Sequence, residues 1–284
     1  MRVIAVRIYP VKSLGGVAVT AAEVEPWGLA GDRRWAVVDP SGTNITAREL
    51  HGLLSLTAEP VDGGAVRITG RDGSVIEVAA PIDSALIPVS HPRQGFARPA
   101  GADADSWLSA RVGRPVRLIW QDDPRARPIA ADRGGLPGDA LSLADAGPLL
   151  LVSEASLGQL DAWIAEGSQQ PGLDHDGRRP GPLDVVRFRP NIVIDGTEPF
   201  AEDAWSVLQI GEVSFRKTMV CDRCMMPTLD PVTLVGGKEP TRTLARHRRW
   251  DRKTWFGIRI APLGSGVVAV GDPVSAQASV GSLA

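Results

Sequence analysis

The chain has 284 residues, 43% of them hydrophobic, with 31 Lys plus Arg against 33 Asp plus Glu for a net charge of −2. That is apolar material for one large or two ordinary domains, and the charge balance excludes the uniformly basic surface of a polyanion binder, so nucleic acid is not an expected partner. No run reaches the roughly 18 apolar residues of a membrane span. Arg2, Arg7 and Lys12 also break the apolar start where a signal peptide would build its core, so a cytoplasmic protein is expected.

In chain order, Val3, Ala5, Arg7 and Tyr9 alternate with Ile4, Val6 and Ile8 before Pro10, which reads as a strand buried on both faces. Further strands are read at 17–24, 35–38, 66–69 and 75–78, followed by a short helix at 104–112 that stops at Gly113 and a strand at 116–120. Residues 121–139 carry Pro, Gly and charge without periodicity and read as a loop. Ser153 can N-cap a helix in which Leu157, Leu160, Trp163 and Ile164 recur at helical spacing, ending near Gly167. A second aperiodic loop is read at 167–184, then strands at 191–194, 207–220 and 267–280, with turn chemistry at Asp62-Gly63-Gly64, Asp72-Gly73 and Gly271-Asp272-Pro273. With 31 Gly and 23 Pro, the expected fold is mainly β with a few helices (α+β) and barrel-like rather than doubly wound. We place an N-terminal β-barrel-like domain at 1–120 and a second domain at 121–284.

The two cysteines stand as Cys221-Asp-Arg-Cys224, too few for a disulfide framework and suited to thiol chemistry in a reducing compartment. The motif alone allows half of a zinc site, a redox disulfide, one thiolate ligand beside a structural partner, or inert thiols. Zinc would need further ligands, and His51, His91, His175 and His247 show no metal-ligand spacing; a thioredoxin-like site would open a helix, and Met225-Met226-Pro227 shows no helical pattern. Arg216, Lys217 and Arg223 lie close by and suit a thiolate. Three turn-to-strand junctions add donors: Tyr9-Pro-Val-Lys12-Ser13, Gly31-Asp-Arg33-Arg34-Trp35 and Arg187-Phe-Arg189-Pro-Asn191. Each alone reads as a solvated strand end. Together they suit a phosphate and a heterocycle, and no GxGxxG or Walker loop is present to do that instead.

The ordered set YPVKS (9–13), GDRRW (31–35), ITAR (45–48), LLLVSEASL (149–157), RFRPNIVI (187–194), CDRCMMPTLDP (221–231) and GDPV (271–274) resembles the MOSC family. The resemblance is to the branch with an N-terminal β-barrel domain, which includes the amidoxime-reducing components, and it runs through nearly the whole chain. It implies a C-terminal MOSC β-barrel domain and a molybdenum cofactor, with Cys224 completing the metal sphere and Cys221 structural. It also implies that Lys12, Ser13, Arg33, Arg189 and Asn191 hold the cofactor, the basic residues at its phosphate and Asn191 near its ring or the metal. Two departures bear on substrate range: Ala146-Gly147-Pro148 replaces hydroxyl residues of relatives, and Arg259 stands where relatives carry an aromatic.

The activity implied is reduction of N-hydroxylated small molecules, with electrons from a separate carrier such as a ferredoxin, a flavodoxin or a cytochrome. Arg246, Arg248 and Arg249 form a candidate basic face for it. The alternative is a non-catalytic carrier of sulfur or cofactor with a persulfide on Cys224, because other members of the wider family serve cofactor sulfuration and bind pyridoxal phosphate.

Overall fold

A computed structural model describes residues 1–167, 182–196 and 198–278. The fold is mainly β with three α-helices among the described residues. It divides into two compact units, one formed by 7–19 and 23–148, the other by 1–6, 20–22 and 149–284.

In the unit built largely from the N-terminal half, a five-stranded sheet runs in the order Ile87–His91, Gln94–Pro99, Arg117–Trp120, Trp35–Val38, Asn44–Ile45, and a separate antiparallel meander joins Thr57–Val61, Ala65–Thr69 and Val75–Val78. Trp35–Val38 and Arg117–Trp120 pair residue for residue, from Trp35 with Trp120 to Val38 with Arg117. Ala36, Val38, Val89, Ala97, Ile119 and Leu143 form a core on this sheet. Helix α1, Ala102–Val112, starts two residues before the expected bound and ends on Gly113 in the left-handed conformation, whose N–H caps Ser109 O.

The other unit is built on a long sheet that includes, in order, Val3–Ile8 (through Val6), Ile192–Ile194, Leu149–Ser153, Lys253–Pro262, Val213–Asp222, Trp205–Ile210 and Val274–Ala278. Leu149–Ser153 and Ile192–Ile194 are parallel, and helix α2, Glu154–Gly167, begins directly after the first of them. Its Leu160 and Ile164 pack on Val152, Phe188, Leu244 and Phe256. The run expected at 207–220 is a hairpin folded at Gly211, and the one expected at 267–280 is two strands, Gly266–Ala269 and Val274–Ala278. The expected loop at 167–184 lies mostly outside the described residues. Gly257 has φ +72 inside its strand, and a Cβ there would stand 2.8 Å from Leu151 O, so the strand can approach its neighbour only without a side chain at that point. Among the described residues no helix is long and apolar enough to cross a membrane.

Candidate functional site

Cys221 and Cys224 leave the end of Val213–Asp222, where the pairing with Lys253–Pro262 is irregular between Val220 and Asp222. Such an irregularity re-aims side chains at the end of a ladder. The two cysteines then differ. Cys221 is 4% exposed and accepts from Arg223 Nη1 at 3.1 Å, while Arg223 Nη2 donates to Phe188 O at 3.0 Å and its guanidinium lies 5.2 Å from the Phe188 ring. Cys224 is exposed, its sulfur accepts from Met226 N–H at 3.5 Å, and Met225 beside it is 49% exposed. Both thiols are free.

Arg223 therefore ties the cysteine turn to the segment that carries Arg189 and Asn191. That segment is a 3₁₀ turn, Val185–Phe188, closed by Arg189 at φ 58 in the left-handed conformation. A non-glycine residue there is strained by about 1 kcal/mol or more, a feature that clusters at ligand clamps. Asn191 is buried, and its Oδ1 accepts from Leu150 N–H at 3.2 Å, so that oxygen holds the strand ends together. Arg187 pairs with Asp230. Arg259, the departure noted in the sequence, pairs with Asp222 at 2.8 Å, one residue past Cys221.

Lys12, Ser13 and Arg33 belong to the other unit and are drawn together there by the backbone. Arg33 N–H donates to Tyr9 O, Trp35 N–H to Pro10 O, and Lys12 N–H to Trp35 O, at 2.8, 3.0 and 2.8 Å. A Cβ on Gly16 would meet Ile8 O at 2.2 Å, so the loop through Lys12 and Ser13 closes only with glycine there. Ser13 and Arg33 both have positive φ, 73 and 50. Arg33 pairs with the buried Asp32 at 2.5 Å and lies over the Tyr9 ring, which fixes the guanidinium.

The solvated strand end expected of Lys12 in isolation is not what forms. Lys12 is 8% exposed, its Nζ stands 2.7 Å from Asp145 Oδ1 and 3.2 Å from His91 Nε2. Burial, partly opposed by Asp145, lowers its pKa. His91 is pushed down to about 3, first by burial and then by Lys12 and Arg127. Arg127 has no exposed surface, donates to Pro92 O, Ser142 O and Ala144 O, and is pushed down to about 9 by burial with Arg93 adding to it. Three buried basic groups thus gather where one carboxylate, on the exposed Asp145, answers them. In the sequence His91 stands only as a zinc ligand without the required spacing, and Arg127 and Asp145 do not stand out, since strand pairing and the 124–146 segment bring all three to Lys12 from far along the chain. Of the expected basic face, Arg248 is excluded: its guanidinium pairs with Asp203 and lies over Phe200, and only 13% of its side chain is exposed.

Small sheets in the N-terminal unit, a long sheet carrying an exposed thiol in the other, and cationic turns in each make this a mainly β protein of two units. The chain belongs to the MOSC family: the MOSC domain matches residues 138–275 and the MOSC N-terminal beta barrel domain residues 1–115. It is 32% identical to mitochondrial amidoxime-reducing component 1 of Homo sapiens over 94% of this chain and 80% of that protein, and 33% identical to the Danio rerio protein of that name over 94% and 82%. Molybdenum cofactor sulfurase of Oryza sativa subsp. japonica is 32% identical over 88% of this chain and 31% of its own length.

Proposed function

We propose that the protein is a molybdenum-cofactor oxidoreductase that removes oxygen from N-hydroxylated small molecules. The observation that carries this reading is the division of labour in the cysteine turn. Cys221 is buried under Arg223, which leaves Cys224 as the exposed thiol of the pair, oriented by the Met226 N–H. That donor set fits a metal group that brings its own sulfur ligands and needs one from the protein. When bound, the cofactor supplies two-electron redox chemistry at molybdenum.

The chain's own part is binding and orientation. Cys224 would hold the metal, and Arg189 on its strained turn would meet the phosphate side of the group. Asn191 would act through the strand ends it braces as well as through any direct contact. Lys12, Ser13 and Arg33 would add cationic and hydroxyl donors, with Lys12 released from Asp145 to take an anion. Electrons would come from a separate carrier. A cytoplasmic setting keeps an exposed thiol reduced and suits this assignment.

The experiment is metal analysis joined to a reduction assay with a viologen donor and an amidoxime, on protein from a host that makes the cofactor. Stoichiometric molybdenum and turnover are expected. Cys224→Ser should abolish turnover, while Cys221→Ser should retain most of it. Equal loss in both, with a Cys221–Cys224 disulfide in the parent, would replace this reading with a dithiol redox site.

The sulfur-carrier alternative draws on the similarity to molybdenum cofactor sulfurase and on the exposure of Cys224. It expects metal-free protein whose Cys224 gains the mass of one sulfur atom when treated with a persulfide donor.

A further inference from the structure

Residues 249–254 form a two-residue hairpin in which Arg249 pairs with Thr254 and Trp250 with Lys253. The turn residues Asp251 and Arg252 have φ 49 and 60, positions that Asn-Gly fills at least cost. Here they hold charge instead. Arg249, Arg252 and Lys253 are exposed, Trp250 is 40% exposed, and among the described residues neither Arg249 nor Arg252 has an ion-pair partner. The tryptophan is not loose: it stacks on the buried Trp255 with ring centroids 5.3 Å apart, Trp255 Nε1 donates to Trp250 O at 3.0 Å, and Arg248 lies against its ring.

This hairpin adjoins the cysteine turn directly. Arg223 N–H donates to Thr254 O at 2.8 Å, Thr254 Oγ1 donates to Arg223 O, Asp222 pairs in register with Trp255, and Lys253 Nζ stands 3.7 Å from Asp222. Trp250 is thus two inter-strand steps of about 4.8 Å each from the backbone beside Cys224. A rigid, exposed aromatic on a hairpin that also carries exposed Arg249, Arg252 and Lys253 matches the composition of protein interfaces, and a small basic patch matches the weak, steered encounters of redox partners.

We propose that the hairpin 249–253 is the docking site for a small acidic one-electron carrier protein. The proposal rests on the oxidoreductase reading above. Converting one N–O bond to N–H and water takes two electrons and two protons, so two carriers dock in turn, each leaving oxidised by one electron, with the protons drawn from solvent. Charge directs the encounter, and the fixed Trp250 ring gives it one orientation.

The test uses the molybdenum-loaded protein and its Arg249→Glu/Arg252→Glu variant, with an acidic [2Fe–2S] ferredoxin, a flavodoxin and a b-type cytochrome as reduced donors and a viologen as the small donor. With the fastest carrier, kcat/KM should fall at least about tenfold in the variant and fall with salt in the parent, as steered association does, while viologen-driven turnover stays unchanged. In parallel, affinity for each oxidised carrier is measured by surface binding, which reads the hairpin whether or not the metal turns over. Salt-sensitive binding that the double variant loses supports the dock even if the activity reading fails. The dock is overturned if no carrier binds or drives turnover, if the variant keeps full carrier-driven turnover, or if viologen-driven turnover falls equally. Binding to phosphatidylserine vesicles in preference to the carriers, lost in the variant, would overturn it in favour of a lipid surface.

Discussion

His91 gives the sharpest quantitative test of how the N-terminal unit is held. Its ring is 3% exposed with Lys12 Nζ at 3.2 Å, and its pKa is pushed from 6.5 to about 3 by burial, Lys12 and Arg127. Because the folded-state pKa lies below the unfolded one, the neutral ring contributes stability that is complete above pH 6.5 and is lost as pH falls toward 3. At about 1.36 kcal/mol per pH unit, roughly 2 kcal/mol is gone by pH 5, and about 4 to 5 kcal/mol once the pH is below both values. His91→Gln keeps an acceptor for Lys12 Nζ and does not titrate, so it should escape this loss. The assay is urea unfolding of parent and variant at pH 7 and pH 5, followed by a probe in the N-terminal unit, with NMR titration of the ring. The parent should lose about 2 kcal/mol more than the variant between the two pH values, and the His91 resonance should stay in its neutral position down to about pH 4. Equal acid sensitivity in both proteins, or a ring that titrates near 6.5, would refute the buried cationic cluster.

The proposed cofactor clamp predicts that Arg33→Ala and Arg189→Ala each lower affinity for the molybdenum group by roughly ten- to a hundredfold, since a charge-assisted contact is worth about 1.5 to 3 kcal/mol. Unchanged metal content in both variants, with the fold intact by circular dichroism, would remove these arginines from the site. In the C-terminal unit, Ser156 Oγ donates to both oxygens of the fully buried Glu202, whose pKa burial raises, and accepts from Phe200 N–H. Ser156→Ala should therefore cost about 2 to 4 kcal/mol and lower Tm, while Glu202→Gln, which can keep a hydrogen bond to Ser156, should cost less. A neutral Ser156→Ala would show that the carboxyl finds another partner.

Strands bounded by turn chemistry were legible in the sequence. Trp35–Val38 lies between the Gly31 turn and Asp39-Pro40, and Val75–Val78 follows Asp72-Gly73; both form at the expected bounds. Where a strand contains its own breakers, pattern reading fails. Ile87–His91 and Gln94–Pro99 carry Pro88 and Pro99 with Arg98 and Gln94, and they exist because they pair with each other and with Arg117–Trp120. Lys253–Pro262 is interrupted in sequence by Gly257 and Arg259, yet that glycine is what the close approach to Leu151 requires. Helix Thr241–His247 presents one large apolar residue, Leu244, too little for a period to be seen. Of the proposed site, the candidates Lys12, Arg33, Arg189 and Cys224 stood out because short motifs carry them. The burial of Lys12 did not, since His91 and Asp145 reach it from 79 and 133 positions away.

The strand that begins the chain has a consequence for how the C-terminal unit is made. Val3 pairs with Ile194 and Val6 with Ile192, beside strands that all come from residues beyond 148. During synthesis the pairing of those first residues with Ile192–Ile194 waits until nearly two hundred more have emerged, and a contact of such long sequence separation forms late. Until then Ile192–Ile194 presents an unpaired buried-type edge, the kind of surface that invites pairing with another chain. A fragment starting at residue 149 would carry that open edge permanently, so supplying residues 1–6 as a separate peptide is the natural way to ask whether it can be closed from outside.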